Sequence, residues 1–279
     1  MGIYWFIIFL GIVQGLTEFL PISSSGHLAF FQNLEFFKTQ TAELEKHFTL
    51  LQFNVFLHFG TLIAVLVYWR KDILDLILGF FSSLKRKDYT EKRFKISMSV
   101  FWGTLPVLAV PFYKDFVEQS ANSLYFIAFF FIVNGIFLSV TDLIIVKKNS
   151  ERNSRNIEDL KIPSLLIIGL FQIIAVFPGI SRSGSTIASG LIMKMKGEEA
   201  IRYSFFLSIP VLIAANLLEL SHLSTMKVQL DYLILGMGSA FLAGMFSIRV
   251  LLWMGKKMII YPFGFYTLLL GLWILIVYL

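Results

Sequence analysis

Within an otherwise apolar chain, Gln14, Glu18, Ser23, Ser24 and His27 fall inside fourteen residues, and Ser181, Arg182, Ser183 and Thr186 inside six. A carboxylate, a hydroxyl and an imidazole at such spacing can supply a base, a nucleophile and an acid. Hydroxyls around one guanidinium suit an anion, phosphate above all. Gln14 and Glu18, four residues apart, share a helix face. His27 follows the turn Ser23-Ser24-Ser25-Gly26, and backbone N–H groups at such turns and at helix N-termini bind anions. The second cluster reads as a phosphate cradle and the first as the catalytic side. An ionised side chain at the bilayer centre costs about 2.5–3.5 kcal/mol, which makes Glu18, His27 and Arg182 functional candidates.

The two clusters are copies of one pattern. Gln14–Leu28 aligns without a gap on Gln172–Thr186, pairing Gln14 with Gln172, Phe19 with Phe177, Ile22 with Ile180, Ser23 with Ser181, Ser25 with Ser183 and Gly26 with Gly184. Weaker support comes from Phe56–Ala64 against Phe206–Ala214, with five identities. An internal duplication therefore supplies one Ser/Gly break per half, with Glu18 and His27 on one and Arg182 on the other.

The elements that hold these breaks follow from composition. With 57% hydrophobic residues, 15% charged and a mean hydropathy of +0.75, the chain is too apolar for a soluble domain of 279 residues. Runs long enough to cross about 30 Å of hydrocarbon lie near 50–69, 96–112, 122–146, 203–220, 230–252 and 259–279. The absence of Cys removes disulfide, zinc-thiolate and thiol-nucleophile chemistry. The first seventeen residues carry no basic n-region, so the N-terminus is expected in the mature protein. The net charge of +6 does not point to nucleic acid, because nineteen of the 24 Lys and Arg sit in 70–95, 147–161, 194–202 and 249–257. By the positive-inside rule these are cytoplasmic. Span 50–69 then runs inward, and residues 1–34, interrupted near Pro21–Gly26, must enter and leave on the outer face. The expected fold is an all-α polytopic membrane protein, an inverted repeat of one re-entrant helical hairpin plus three transmembrane helices. Its halves are 1–146 and 163–279, joined by a cytoplasmic linker at 147–162, with hairpins at about 1–34 and 163–193. The two hairpins meet tip to tip, where irregular backbone must be buried or line a polar cavity.

Other polar residues receive blander readings. His58, on an apolar span, reads as a satisfied core histidine. Asn54, Asn134, Asp142 and Asn216 read as helix bridges. His47 and His222 sit in loops, and Glu35, Glu43 and Glu45 in a solvated outer loop.

QGLTEFLPISSSGH at 14–27 and FPGISRSGST at 177–186 resemble the two signature motifs of the undecaprenyl pyrophosphate phosphatase family, associated with bacitracin resistance. The resemblance runs through the whole chain, RYSFFLSIP at 202–210 included. It implies hydrolysis of the C55 isoprenoid diphosphate to the monophosphate at the outer face of the cytoplasmic membrane, recycling the lipid carrier for peptidoglycan and other envelope polymers. The functional positions it carries over are Gln14, Glu18, Ser23, Ser24 and His27, then Ser181, Arg182, Ser183 and Thr186. It also implies a divalent cation, Mg²⁺ or Ca²⁺, with Glu18 as a ligand. Position 14 is Gln where many members have Glu, which weakens the expected metal affinity. Type 2 phosphatidic acid phosphatases share a Ser-Gly-His element, but their nucleophilic His five residues after Ser-Arg falls here on Ala188.

For the nucleophile, His27 needs no prior deprotonation and ranks ahead of Ser24, which needs a base. The rival from another class is a polyprenyl phosphate carrier or flippase, for which broken helices meeting mid-membrane and Arg182 serve equally well. A purely structural protein leaves the paired polar breaks without a purpose. The sequence leaves oligomeric state open, a homodimer included.

Overall fold

The computed structural model describes residues 2–146, 155–220, 229–255 and 259–278. Most of the expected linker (147–154), His222, Lys256 and Lys257 lie outside the described residues. Helix α1 (Ile3–Phe19) stops where Leu20 turns extended and Pro21 offers no N–H, and α2 (Ser24–Asn33) restarts after Ser23. Next come α3 (Lys38–Glu45), α4 (Leu50–Tyr68), started by a Thr49/Gln52 capping box, and α5 (Arg70–Arg86). Helix α6 (Lys92–Thr104) tightens into a 3-10 segment, Leu105–Tyr113, that contains Pro106 and Pro111. Helices α7 (Lys114–Ala121) and α8 (Leu124–Val140) complete the first half. The second half holds α9 (Ile162–Ile174), α10 (Arg182–Ile192), α11 (Gly197–Leu220), α12 (Leu230–Gly255) and α13 (Tyr261–Tyr278).

Six stretches are long and apolar enough to cross a membrane: Leu50–Tyr68, Lys92–Tyr113, Leu124–Leu143, Gly197–Leu218, Leu230–Gly255 and Tyr261–Tyr278. They coincide with the six expected spans. Leu242, Phe246 and Ile276 are among many large apolar side chains left 60–82% exposed, a surface suited to hydrocarbon rather than water. The basic segment 70–95, expected as loop, contains α5. Its apolar residues Ile73, Leu76, Ile77, Phe80 and Leu84 recur at helical spacing while Gly79 and Ser83 bury against α6, so helix period outweighs the local charge.

The helix pairs α1–α2 and α9–α10 are built alike. Both second helices start at the same point of the alignment, whose copies are offset by 158 residues, at Ser24 and Arg182. Both N-caps are serines that accept an N–H three residues on, Gly26 to Ser23 at 3.2 Å and Gly184 to Ser181 at 3.0 Å. Each first helix carries a glycine at the aligned position that lies against the second span of the other half. A Cβ on Gly11 would stand 2.5 Å from the Gly236 carbonyl, and one on Gly169 2.5 Å from the Gly103 carbonyl. Other packings are reciprocal too: α1 on α12 and α9 on α6, α4 on α12 and α11 on α6, with α4 on α11 and α8 on α13.

The two turns meet. Gly179 N donates to Ser23 Oγ at 3.0 Å, Ser183 Oγ to the Leu20 carbonyl at 3.0 Å, and a Cβ on Gly26 would lie 2.7 Å from Gly179 N. Gly179 has φ +111°, which only glycine adopts without strain. Asn134 of α8 ties both turns together, accepting Ser181 N–H at 3.0 Å and donating to Thr267 Oγ1 at 3.2 Å and the Pro21 carbonyl at 3.4 Å.

Candidate active site

A half-open cavity of about 200 Å³ sits where the two turns join. Glu18, Ser23, Ser24, Ser25, Ser181 and Arg182 line its polar end together with His58 and Gln172. Ser24 is the first residue of α2 and Arg182 the first of α10, so two helix N-termini, each with free N–H groups and a partial positive charge, converge there. Ser23 is held at φ +70°, a strained value for a non-glycine, and that bend turns the Ser24 side chain toward Glu18.

Glu18 is the hub. Its Oε1 pairs with Arg182 Nη2 at 2.5 Å, across 164 residues of sequence. Its Oε2 accepts the Ser24 hydroxyl at 2.6 Å and Gln14 Nε2 at 3.0 Å. Both charged side chains are largely buried, 5% exposed for Glu18 and 16% for Arg182. Arg182 Nη1 is buried with no hydrogen-bond partner among the described residues, a guanidinium donor left over beside the cavity. A buried guanidinium donor without a protein partner is what an incoming phosphate oxygen satisfies.

The remaining expected residues fall in a second layer. Gln14 supports Glu18 and reaches Thr61 Oγ1 at 3.5 Å. Ser183 braces Leu20, and the Thr186 hydroxyl bonds that of Ser204 at 2.7 Å. His27 is buried outside the cavity lining: Nδ1 donates to the Ser23 carbonyl at 2.7 Å and Nε2 meets the Tyr266 hydroxyl at 2.8 Å. With both nitrogens engaged, the first-ranked nucleophile of the sequence analysis gets no support from this geometry. Ser24, ranked second, has its hydroxyl on a carboxylate.

Two residues that sequence reasoning passed over line the cavity. His58, read as a core residue, donates from Nδ1 to the Asn54 carbonyl at 2.7 Å and sets Nε2 3.4 Å from Glu18 Oε2. Only the packing of α4 on α1 brings it there, and no spacing records that. Gln172 was visible as the repeat mate of Gln14. It donates to the Gly103 carbonyl at 2.8 Å and leaves a buried Oε1 without a partner among the described residues. Asn134, read as a helix bridge, is one. Asp142 is another, its carboxylate accepting the N–H groups of Ile260 and Tyr261 at the start of α13.

No cluster of three or more His, Cys, Asp or Glu able to hold a metal occurs among the described residues. A hard divalent cation takes oxygen ligands and is commonly held by one or two carboxylates plus substrate phosphates. Glu18, which lines the cavity as a single carboxylate, fits that second mode and not a closed protein cage.

Residues 7–273 match the family described as Bacitracin resistance protein BacA. A protein of Methanococcus vannielii named Undecaprenyl-diphosphatase is 36% identical over 273 residues, 96% of this chain and 98% of its own. One of the same name from Halothermothrix orenii is 38% identical over 275 residues, covering 97% and 96%. Another, from Thermosipho africanus, is 38% identical over 269 residues, covering 95% and 96%. The chain belongs to the bacitracin resistance protein BacA family.

Proposed function

We propose that the protein is an integral membrane phosphatase that hydrolyses undecaprenyl diphosphate to undecaprenyl phosphate and inorganic phosphate. It thereby recycles the lipid carrier for peptidoglycan and other envelope polymers and confers bacitracin resistance. The observation that carries this reading is the 2.6 Å bond from Ser24 Oγ to Glu18 Oε2, set between two helix N-termini and beside the unfilled Arg182 Nη1. The names of the relatives supply the substrate.

Phosphoryl transfer asks for positioning and charge neutralisation. The diphosphate takes over Arg182, the Ser181 and Ser23 hydroxyls and the N–H groups of the two helix starts. Ser24 Oγ attacks the terminal phosphorus, its proton passing to Glu18 as the bridging P–O bond breaks and the polyprenyl monophosphate leaves. Water then displaces Ser24 from the phosphoryl group, Glu18 returns the proton to Oγ, and inorganic phosphate carries the water's proton away. Mg²⁺ or Ca²⁺, held by Glu18 and the substrate itself, would add charge neutralisation.

The reciprocal packing of the halves supports an inverted repeat of 1–146 and 163–279, with α1–α2 and α9–α10 as re-entrant hairpins. In that orientation the cavity lies in the outer half of the cytoplasmic membrane, because Val107, Val211 and Ala215 all lie past the midpoints of spans that lead outward. A carrier of polyprenyl phosphate would use the same inverted frame and Arg182, but has no need of a serine on a carboxylate.

Phosphate release from undecaprenyl diphosphate by detergent-purified protein, with and without EDTA, tests the reading. Metal-dependent release by wild type that is lost in Ser24→Ala, Glu18→Gln and Arg182→Lys is expected. No release from folded wild type would leave the carrier.

A further inference from the structure

We propose that the substrate's polyprenyl chain leaves the cavity sideways, between the 3-10 segment Leu105–Tyr113 and the outer half of α11, with Val107, Val211 and Ala215 fitting its first isoprene units. The inference deepens the phosphatase reading and rests on it for the identity of the headgroup.

The cavity has two unlike ends. Besides the serines and Arg182, its wall includes Val107, Ala175, Val176, Val211, Leu212 and Ala215, none of which offers a polar side chain. A phosphate ester of a small polar alcohol has no use for that wall, whereas a diphosphate on a hydrocarbon chain matches both ends.

The gap has a cause in the sequence. Span Lys92–Tyr113 and α11 close on each other at Gly103, where the missing side chain admits Tyr203 and Leu207 and the Tyr203 hydroxyl donates to the Ser99 carbonyl at 2.6 Å. One turn later Pro106 removes a helix donor and the chain tightens to 3-10 geometry, which rises faster per residue. From there the segment leans on α9 instead. Pro106 packs at Gly169, and the Tyr113 hydroxyl donates to the Ile173 carbonyl at 3.2 Å. The two spans diverge and the apolar end of the cavity fills the space between them.

The rims of that space belong in hydrocarbon. No residue of Leu105–Tyr113 is buried, and Leu108 and Phe112 are 70% and 91% exposed. Water-facing rims of this composition are disfavoured, so the opening faces lipid tails. A lipid substrate then enters laterally, headgroup first toward Arg182, without its chain crossing water.

The test uses the full-length protein in detergent with two substrates, undecaprenyl diphosphate and methyl diphosphate, in Val107→Phe and Ala215→Phe. Filling the gap should lower kcat/KM for undecaprenyl diphosphate by about tenfold or more and change it less than about twofold for methyl diphosphate. Equal loss on both substrates, or none on either, overturns the proposal. A second measurement needs no turnover: p-benzoylphenylalanine at Val107 should capture radiolabelled undecaprenyl diphosphate, and at the exposed Phe246 of α12 should not. Capture at Val107 with no hydrolysis by wild type would sink the phosphatase reading and leave the exit standing. Equal capture at Phe246 would sink the exit whatever the hydrolysis.

Discussion

Glu18 accepts three hydrogen bonds at once, and each donor makes a different demand on its carboxylate. Arg182 offsets its charge, Gln14 fixes its plane, and Ser24 uses its remaining basicity. Ser24→Ala should therefore cut phosphate release by at least about 10³-fold, the scale of losing a nucleophile, while leaving the melting temperature close to wild type. A phosphoenzyme trapped by acid quench should be acid-stable phosphoserine; an acid-labile phosphohistidine would return His27 to the chemistry. His27→Asn should behave in the opposite way. It strips partners from Tyr266 and the Ser23 carbonyl, costing about 1–3 kcal/mol for buried groups left unpaired, yet the protein that folds should retain turnover, as thermal denaturation and kcat measured together would show. The carboxylate, the serines and the arginine were legible in the sequence because polar groups interrupting an apolar run carry a cost that only use repays. The direction of the His27 ring was not, since it depends on Tyr266, 239 residues away. His58 was missed for the same kind of reason: its cavity face is set by how α4 packs, not by its neighbours along the chain.

At the scale of elements, two capped helix starts are pressed against each other through glycine. Gly26 has Gly179 N and Cα within 2.7 and 2.8 Å of where a Cβ would sit, and those are backbone atoms that cannot swing aside. Gly26→Ala should push the turns apart and destabilise by about 1–3 kcal/mol. Because Ser24 and Arg182 sit on opposite sides of that contact, release should fall although no reacting group is removed. Thermal shift and kcat read together would check this, and a stable, fully active variant would show that the turns tolerate separation. Asn134→Ala acts from a third element by leaving the buried Ser181 N–H without an acceptor, at a similar cost of about 1–3 kcal/mol, and should reproduce the phenotype of Gly26→Ala. The breaks at Pro21–Gly26 and Pro178–Gly184 could be read in advance because proline, glycine and serine leave few alternatives. The tightening at Leu105 and the helix α5 could not. The first depends on where α9 offers a surface, and the second hides its apolar period behind eight basic residues in 70–95.

At the scale of the whole molecule, the reciprocal packing has a consequence for orientation that chemistry alone does not reveal. If α1–α2 and α9–α10 are re-entrant, each half crosses the membrane three times, and an odd number turns the second half upside down relative to the first. If they cross instead, each half makes four passes and the two halves must point the same way. The chain contains no cysteine, so single ones can be introduced as reporters without removing any. Gly2→Cys and Glu45→Cys bracket the first pair, and Lys161→Cys and Lys194→Cys the second; all four positions are exposed. A membrane-impermeant maleimide applied to intact cells should label both sites of the first pair, and those of the second only after permeabilisation. Labelling of Gly2→Cys and Glu45→Cys on opposite faces would mean that α1–α2 crosses. Parallel halves would then have to bring Glu18 and Arg182 into their ion pair without a tip-to-tip approach of two re-entrant turns.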